Sequence, residues 1–330
     1  MRRTLTVVGE ILPLHTPFRI SRGVKTAAQV VTVAIVQDGV TGRGECVPYP
    51  RYGENAESTM LAIEATRDAI ERGVSRQELL ALMPAGAARN AIDCALWDLE
   101  LRLAGGNFAA AFGLEQPLRP IVTAMTISLD TPDRMALAAA ALANAPLLKV
   151  KVDRNDPAAQ LKAVRSAAPR PRMIVDPNES WTIDEIRGLQ GLMTDLHINL
   201  LEQPLPADAD GDLAGFRSAI PIAADESVHV AADLGALPDG YGVVNIKLDK
   251  SGGLTAALDL AQAARERGLG VMTGCMICSS LSIAPAWAIA AQSSFADLDG
   301  PLWLAEDRAG GVSATNGVMS PPRPGFWGGI

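Results

Sequence analysis

The sequence has no block of basic charge, no apolar run long enough to span a membrane, and few cysteines for its length. A net charge of -8 without a dense Lys/Arg cluster excludes a phosphate-backbone binder. The missing long apolar run excludes a transmembrane helix. Four cysteines in 330 residues, Cys46, Cys94, Cys275 and Cys278, do not make a disulfide framework. Cys275 and Cys278 form a Cys-x-x-Cys, but no second ligand pair at zinc spacing accompanies it. They read as reduced thiols at the end of a buried strand. The N-terminal Met-Arg-Arg-Thr-Leu-Thr-Val-Val opens like a secretory leader, but Glu10 interrupts the apolar run and Pro13, His15 and Pro17 follow. It therefore reads as a first strand. The expectation is a soluble, cytoplasmic protein with neither membrane nor nucleic acid as partner.

What is present is a hydrophobic fraction of 48%, enough for a sizeable core in a large and a smaller unit. Residues 5–37 are extended in pattern, with a Pro/Gly/Arg-rich loop at His15 to Gly23. Asp38-Gly39 is a hairpin turn signal, and Gly42 to Cys46 continues as the partner strand. Residues 55–72 and 87–104 have helical periodicity. This first part predicts an α+β unit. From Ile121 the style changes. Apolar runs recur at 121–127, 147–152, 172–176, 198–202, 222–225, 243–248, 270–275 and 295–299, separated by Ala- and Leu-rich helical stretches. Leu254 to Glu266 is the clearest of these. Alternating strands and helices at roughly 25-residue intervals predict an α/β fold, a (β/α) TIM-type barrel with eight strand positions. The tail after Ala309 is rich in Gly and Pro and is expected to return to the N-terminal unit.

Three acids end three successive apolar runs: Asp176, Glu202 and Asp225. In a parallel barrel the C-terminal strand ends converge on one mouth, so the three carboxylates would form an oxygen cage suited to Mg²⁺. Each alone could be a helix cap; the repetition favours ligands. Asn178 and Glu226, one or two residues beyond two of them, are natural supporting partners. Lys149 and Lys151 end the run before the acids and share one strand face. Lys247 ends the run after them, four strands on from Lys151. A second cation nearby and partial desolvation favour the neutral amine that a base requires. Two such groups across a metal-held carboxylate could remove a proton from one face of its α-carbon and return it from the other. The blander reading makes the lysines counter-charges to the acids. Lys250, in the following loop, reads as solvent-facing or structural.

These motifs resemble the enolase superfamily in its muconate-lactonising subgroup: Lys149-x-Lys151, the acids on the next three strands, and Asn245-Ile246-Lys247-Leu248. The resemblance covers nearly the whole chain. It implies a capping domain over 1–118, a catalytic barrel over 119–308, and a tail over 309–330 that packs on the cap. It also implies a lysine base working beside Mg²⁺, one ion per subunit. Within the subgroup the chain is similar to the dipeptide epimerases, and to those acting on Ala-Glu. Asp297-Leu298-Asp299 resembles their grip on the substrate α-ammonium group. Pro48 to Glu54, Pro84 to Asn90 and Gly274-Cys275-Met276 also resemble that group, which places Cys275 and Met276 at the substrate. A cap loop around Phe18 to Gly23 would close the site, with Arg22, ahead of Arg19 and Arg51, meeting the substrate's side-chain carboxylate. The implied reaction is Mg²⁺-dependent epimerisation at the C-terminal residue of a small dipeptide, L-Ala-D-Glu to L-Ala-L-Glu, in murein peptide recycling. A cycloisomerase or an o-succinylbenzoate-type dehydratase would share the lysines and metal but has no need of Asp297 and Asp299. Acid-sugar dehydratases use a late histidine, whereas the histidines here are His15, His197 and His229. The chain could assemble as a homo-oligomer.

Overall fold

A computed structural model describes residues 2–329; residues 1 and 330 lie outside the described residues. The N-terminal unit is a three-stranded antiparallel sheet of β1 (Thr4–Ile20), β2 (Gly23–Gln37) and β3 (Val40–Cys46). Asp38 and Gly39 both adopt positive φ, 53° and 80°, which is the backbone a tight β2–β3 hairpin needs. The helices α1 (Ala56–Ala65), α2 (Arg67–Arg72), α3 (Arg76–Leu82), α4 (Ala87–Leu103) and α5 (Phe108–Ala111) follow. Asn55 and Ser75 open α1 and α3 with reciprocal capping boxes. The periodic stretch over 55–72 is thus two helices, broken at Thr66. Helix α4 lies directly on β3: a Cβ on Gly44 would sit 2.1 Å from the Ala91 carbonyl oxygen, so only glycine permits that approach.

The second unit contains β4 (Ile121–Val122), β5 (Met125–Ile127), α6 (Pro132–Ala141), β6 (Leu147–Lys151), α7 (Pro157–Ala167), β7 (Arg172–Asp176), α8 (Ile183–Asp195), β8 (Leu200–Glu202), β9 (Ile222–Ala224) and β10 (Val243–Ile246). It continues through α9 (Leu248–Ser251), α10 (Leu254–Glu266), β11 (Gly270–Gly274), α11 (Ser280–Ala290), β12 (Phe295–Asp297), β13 (Ser313–Thr315) and β14 (Val318–Ser320). Strands β5 to β12 make one eight-stranded sheet in sequence order, parallel throughout. The hydrogen bond from Ala124 N to Ala296 O, 2.8 Å, draws its two ends together into a nearly closed barrel. Inside, at the N-terminal end, lies a sealed apolar layer: Ala124, Leu147, Ile174, Leu200, Ala223, Val243, Met272 and Phe295.

Two strand expectations need correction. The run 121–127 is not one strand. Ile121 and Val122 pair with β14 in a separate three-stranded sheet, and only Met125–Ile127 joins the barrel. The Pro/Gly/Arg-rich stretch 15–23 is not an open loop. β1 and β2 pair out to Ile20 and Gly23, with a register shift between Pro13 and Phe18 that absorbs the prolines. The cap therefore sends a hairpin tip, Ser21-Arg22, over the barrel mouth, where Ser21 Oγ and Arg22 Nη1 donate to the Asn178 carbonyl. Helix α4 grips the barrel side. Arg89 donates to the carbonyls of Ser251 and Gly252, and Asp93 accepts from Thr255 N and Oγ1. At the tail, Trp327 Nε1 donates to the Arg43 carbonyl, and Gly328 N donates to Asp98.

Candidate active site

Strand register decides which side chains meet. Lys151 is the direct neighbour of Asp176 across β6 and β7, and its Nζ lies 2.6 Å from Asp176 Oδ2. Lys149, two residues back on the same face, reaches three carboxylates: Asp297 at 2.7 Å, Glu202 at 2.8 Å and Asp176 at 3.0 Å. Lys247 immediately follows β10 and places Nζ 2.5 Å from Asp225 Oδ2. β6 and β10 are four strands apart in the eight-stranded order, so Lys151 and Lys247 enter the mouth from opposite sides. All seven side chains are buried.

Charge balance separates these groups. Burial disfavours every ion here, but neighbours overturn it for most. Asp297, Glu202 and Asp176 hold Lys149 well above the usual lysine value, and Asp225 holds Lys247 above it. Lys151 and Lys149 hold Asp176 below the carboxylate range, and Lys247 and Lys250 do the same for Asp225. Glu202 is left short of positive charge: burial and the nearby Asp176 push it up to about 8, outweighing Lys149. A second cation nearby and partial desolvation were expected to favour neutral amines. The carboxylates reverse that expectation for Lys149 and Lys247.

The donor set fits a hard dication. Glu202 Oε2 and Asp225 Oδ1 are buried and accept no hydrogen bond of good geometry, although a lysine nitrogen stands 2.8 Å from each. Carboxylate oxygens in this condition suit Mg²⁺. Among the described residues, no three His, Cys, Asp or Glu side chains stand together at ion-holding separations. A lysine ammonium stands beside each of the three acids.

Supporting residues surround these groups, and the sequence reading gave Asn245 and Gln203 among them no such role. Of its two readings, solvent-facing or structural, Lys250 takes the structural one. It is buried on α9, lies 2.8 Å from Asp225 Oδ1, and donates to the carbonyls of Asp225, Val228 and Asn245. Asn245 donates to Glu202 Oε1 at 2.9 Å, and its place two residues before Lys247 was a usable period-two signal. Gln203 accepts from Asp225 N at 2.8 Å while donating to Tyr241 and Ser227. Asn178 supports Asp176 through its backbone, N to Oδ1 at 2.8 Å, and its side-chain oxygen is unpartnered. Glu226 accepts from Arg22 on one oxygen and leaves the other unpartnered.

The cavity over these groups is lined by Lys149, Lys151, Lys247, Asn178, Glu226, Cys275, Met276, Asp297, Asp299 and Arg22. Phe18 of the expected cap loop also lines it, with Tyr49 and Tyr52 of the Pro48–Glu54 stretch; Lys25 and Trp303 line it too and were not anticipated. Asp297 and Asp299 do not share a strand: β12 ends at Asp297, and Asp299 starts the turn after it. Their partners differ accordingly. Asp299 accepts from Thr126 N and Trp303 Nε1, and burial beside Asp297 pushes it up to about 6. Asp297 gives one oxygen to Lys149 and keeps Oδ1 buried and unpartnered. Arg22 meets Glu226 at 2.7 Å and Glu179 at 3.0 Å. Arg51 does not line the cavity; it makes a two-pronged contact with Glu179, and Arg19 lies near Asp130. All four cysteines are free thiols.

Comparison with known proteins places this geometry in a family. Residues 2–113 match the mandelate racemase / muconate lactonizing enzyme N-terminal domain, and residues 133–326 match the enolase C-terminal domain-like family. The chain belongs to the enolase superfamily. Among its relatives, the L-Ala-D/L-Glu epimerase of Escherichia coli (strain K12) is 47% identical over 96% of this chain and 99% of its own length. A solved enolase family member from Agrobacterium tumefaciens, with homology to dipeptide epimerases and with bound sodium and L-Ala-L-Glu, matches with a TM-score of 0.95. It is 49% identical and covers 99% of this chain and 100% of that one. The dipeptide epimerase from Methylococcus capsulatus complexed with Mg and L-Arg-D-Lys matches with a TM-score of 0.90 at 33% identity, over 99% of both chains. This superfamily member thus shares its fold with relatives whose dipeptides carry side chains of opposite charge.

Proposed function

We propose that the protein is a dipeptide epimerase that inverts the α-carbon of the C-terminal residue and acts on L-Ala-D-Glu and L-Ala-L-Glu. The observation that carries the reading is the placement of Lys151 and Lys247 on opposite sides of one mouth, each on its own buried carboxylate. One amine takes the α-proton from one face and the other ammonium delivers a proton to the opposite face, so configuration inverts with no net proton change. Asp176, Glu202 and Asp225 would hold Mg²⁺, which when bound polarises the substrate carboxylate and stabilises negative charge developing beside it. Asp225, shared in that way, would attract Lys247 less strongly. The unpartnered Asp297 Oδ1 offers the substrate ammonium a charge-assisted hydrogen bond. That acid favours an amino-dipeptide over the substrates of a cycloisomerase or an o-succinylbenzoate-type dehydratase. Cys275 and Met276 line the substrate's path. A cytoplasmic role in recycling murein peptides is the corresponding place in metabolism.

The test is incubation with L-Ala-L-Glu and Mg²⁺ in D₂O, following the glutamate α-proton by NMR. Loss of that signal together with the second diastereomer supports the assignment. A folded, metal-loaded protein that exchanges nothing overturns it.

A further inference from the structure

Glu45 is buried near the end of β3, on the cap, and the proton transfer leaves it unused. Both of its oxygens are occupied. Oε1 accepts from Ser279 N at 2.8 Å and from Ser282 Oγ at 3.0 Å. Oε2 accepts from Ser279 Oγ, and from Arg308 Nε and Nη2 at 3.0 and 2.7 Å. Arg308 Nη2 also meets Glu10 of β1 at 2.8 Å, so two cap strands are joined to the first turn of α11. Ser279 caps that helix: its Oγ accepts from Leu281 N, and the positive end of the helix dipole faces Glu45. What precedes Ser279 gives this anchor its interest. Residues 275–278 cross from the end of β11 to the cap of α11 with no helix or strand of their own. Cys275, Met276 and Ile277 line the cavity over the lysines and acids. The segment also lies against Gly300, directly after Asp299: a Cβ there would come within 3.0 Å of Cys275 Sγ and 3.2 Å of Cys278 N. It is fixed at one end by Gly274, paired with Asp297 in the sheet, and at the other by Ser279 on Glu45. So short and closely packed a span passes any movement of its anchor on to the cavity wall.

We propose that Glu45 is a positioning residue for epimerisation: by anchoring Ser279 it sets where the wall segment 275–278 stands against the dipeptide. This rests on the epimerase reading and adds to it a residue that touches neither substrate nor metal. The barrel wall is in register only while the cap is docked through Glu45, so a carboxylate of one domain shapes the site of the other. Glutamine is the informative replacement. Its shape is the same, but its NH₂ must face either Ser279 N or the Arg308 guanidinium, and both can only donate. One of the two contacts then turns from attraction to repulsion.

The experiment compares wild type, E45Q and S279A in steady-state kinetics with Ala-Glu and Mg²⁺. In parallel it measures how fast iodoacetamide alkylates each cysteine of the folded protein, read by peptide mass. The cysteines are an internal reporter: Cys275 is partly exposed, whereas Cys46, Cys94 and Cys278 are buried. E45Q should raise KM about 10-fold with kcat changed far less, because the wall is displaced while the lysines and metal acids stay in place. It should also speed alkylation of Cys275 about 10-fold and leave the three buried thiols unreactive. A variant that is merely less stable would instead lose kcat with its folded fraction, keep its KM and expose all four thiols; that pattern overturns the proposal. S279A keeps the backbone donor and loses the hydroxyl. Both readings should shift the same way by about threefold, and this variant carries the test if E45Q does not fold. Wild-type values of KM and of the Cys275 rate, in S279A or in a folded E45Q, overturn the role of Glu45 and leave the epimerase reading standing. A folded, Mg²⁺-loaded wild type that does not turn over Ala-Glu overturns both.

Discussion

The two ends of the barrel interior are built on the same strands and have opposite characters. At the N-terminal end, Leu147, Ile174, Leu200, Val243 and Phe295 meet in a dry apolar layer. Two to four residues further along those strands, the inward positions are Lys149, Lys151, Asp176, Glu202, Asn245, Lys247 and Asp297. A period of two places both sets inside, so strand geometry does not distinguish them. What differs is the energy each set can tolerate. The apolar layer gains from packing and from exclusion of water. The polar ring is buried at the expense of solvation, and every member needs a partner. The lower layer therefore carries stability, and the upper ring carries chemistry that is itself a source of instability.

The sharpest way to break this division is to remove the amines. Lys151→Ala and Lys247→Ala should each reduce epimerisation by at least about 10³-fold, comparable to losing a general base. Deuterium wash-in from each diastereomer should show which lysine serves which face. Near-normal turnover in both variants would sink the two-base mechanism. Lys250→Met should cost both properties, because Asp225 and three carbonyls lose a shared donor. A stability loss of about 3–5 kcal/mol by denaturant titration is expected, with a fall in kcat. An unchanged midpoint would show that Asp225 does not depend on this ammonium. Leu200→Ala acts on the other layer. It should cost about 2–4 kcal/mol in stability while kcat stays within a few-fold, and a larger loss of kcat would mean that the layers are not separable.

The smallest effect concerns the bond between cap and barrel. Asp249 accepts from Val47 N and Asn90 Nδ2. Burial pushes it up to about 7, against those hydrogen bonds. Its folded value lies above that of the unfolded chain, so its contribution to stability is complete below about pH 4 and is lost as pH rises toward 7. Asp249→Asn keeps an acceptor for both donors. It should flatten that slope, raising Tm relative to wild type at pH 8 and leaving it unchanged near pH 4. An identical slope in the variant would assign the pH dependence elsewhere.

Much of the upper ring was legible because its pattern is periodic and local. Lys149-x-Lys151 shows one strand face, and Asp176, Glu202 and Asp225 recur at strand ends separated by helix-length segments. Helix α10 begins and ends at the residues its periodicity predicts, Leu254 and Glu266. What was not legible depends on partners distant in sequence. Lys250 reads as a loop lysine until β9 and β10 bring three carbonyls around it. Lys25, in an extended Val-Lys-Thr stretch, carries no local signal of its place over the barrel mouth. The run at 121–127 looks continuous because the strand that captures its first two residues comes from the tail, about 200 residues later. The supposed loop at 15–23 concealed a hairpin because two prolines mask a register shift that pairing restores beyond them.

The sealed apolar layer has one more consequence, for anyone redesigning the protein. Because it contributes one residue from each barrel strand or the segment leading into it, it closes the floor of the barrel independently of which charges stand above. Ring substitutions that replace both members of a buried pair together could therefore be combined in a library while the floor still holds the strands in place. New reactions would be sought by exchanging paired strand-end side chains, with single exchanges screened for stability as well as turnover.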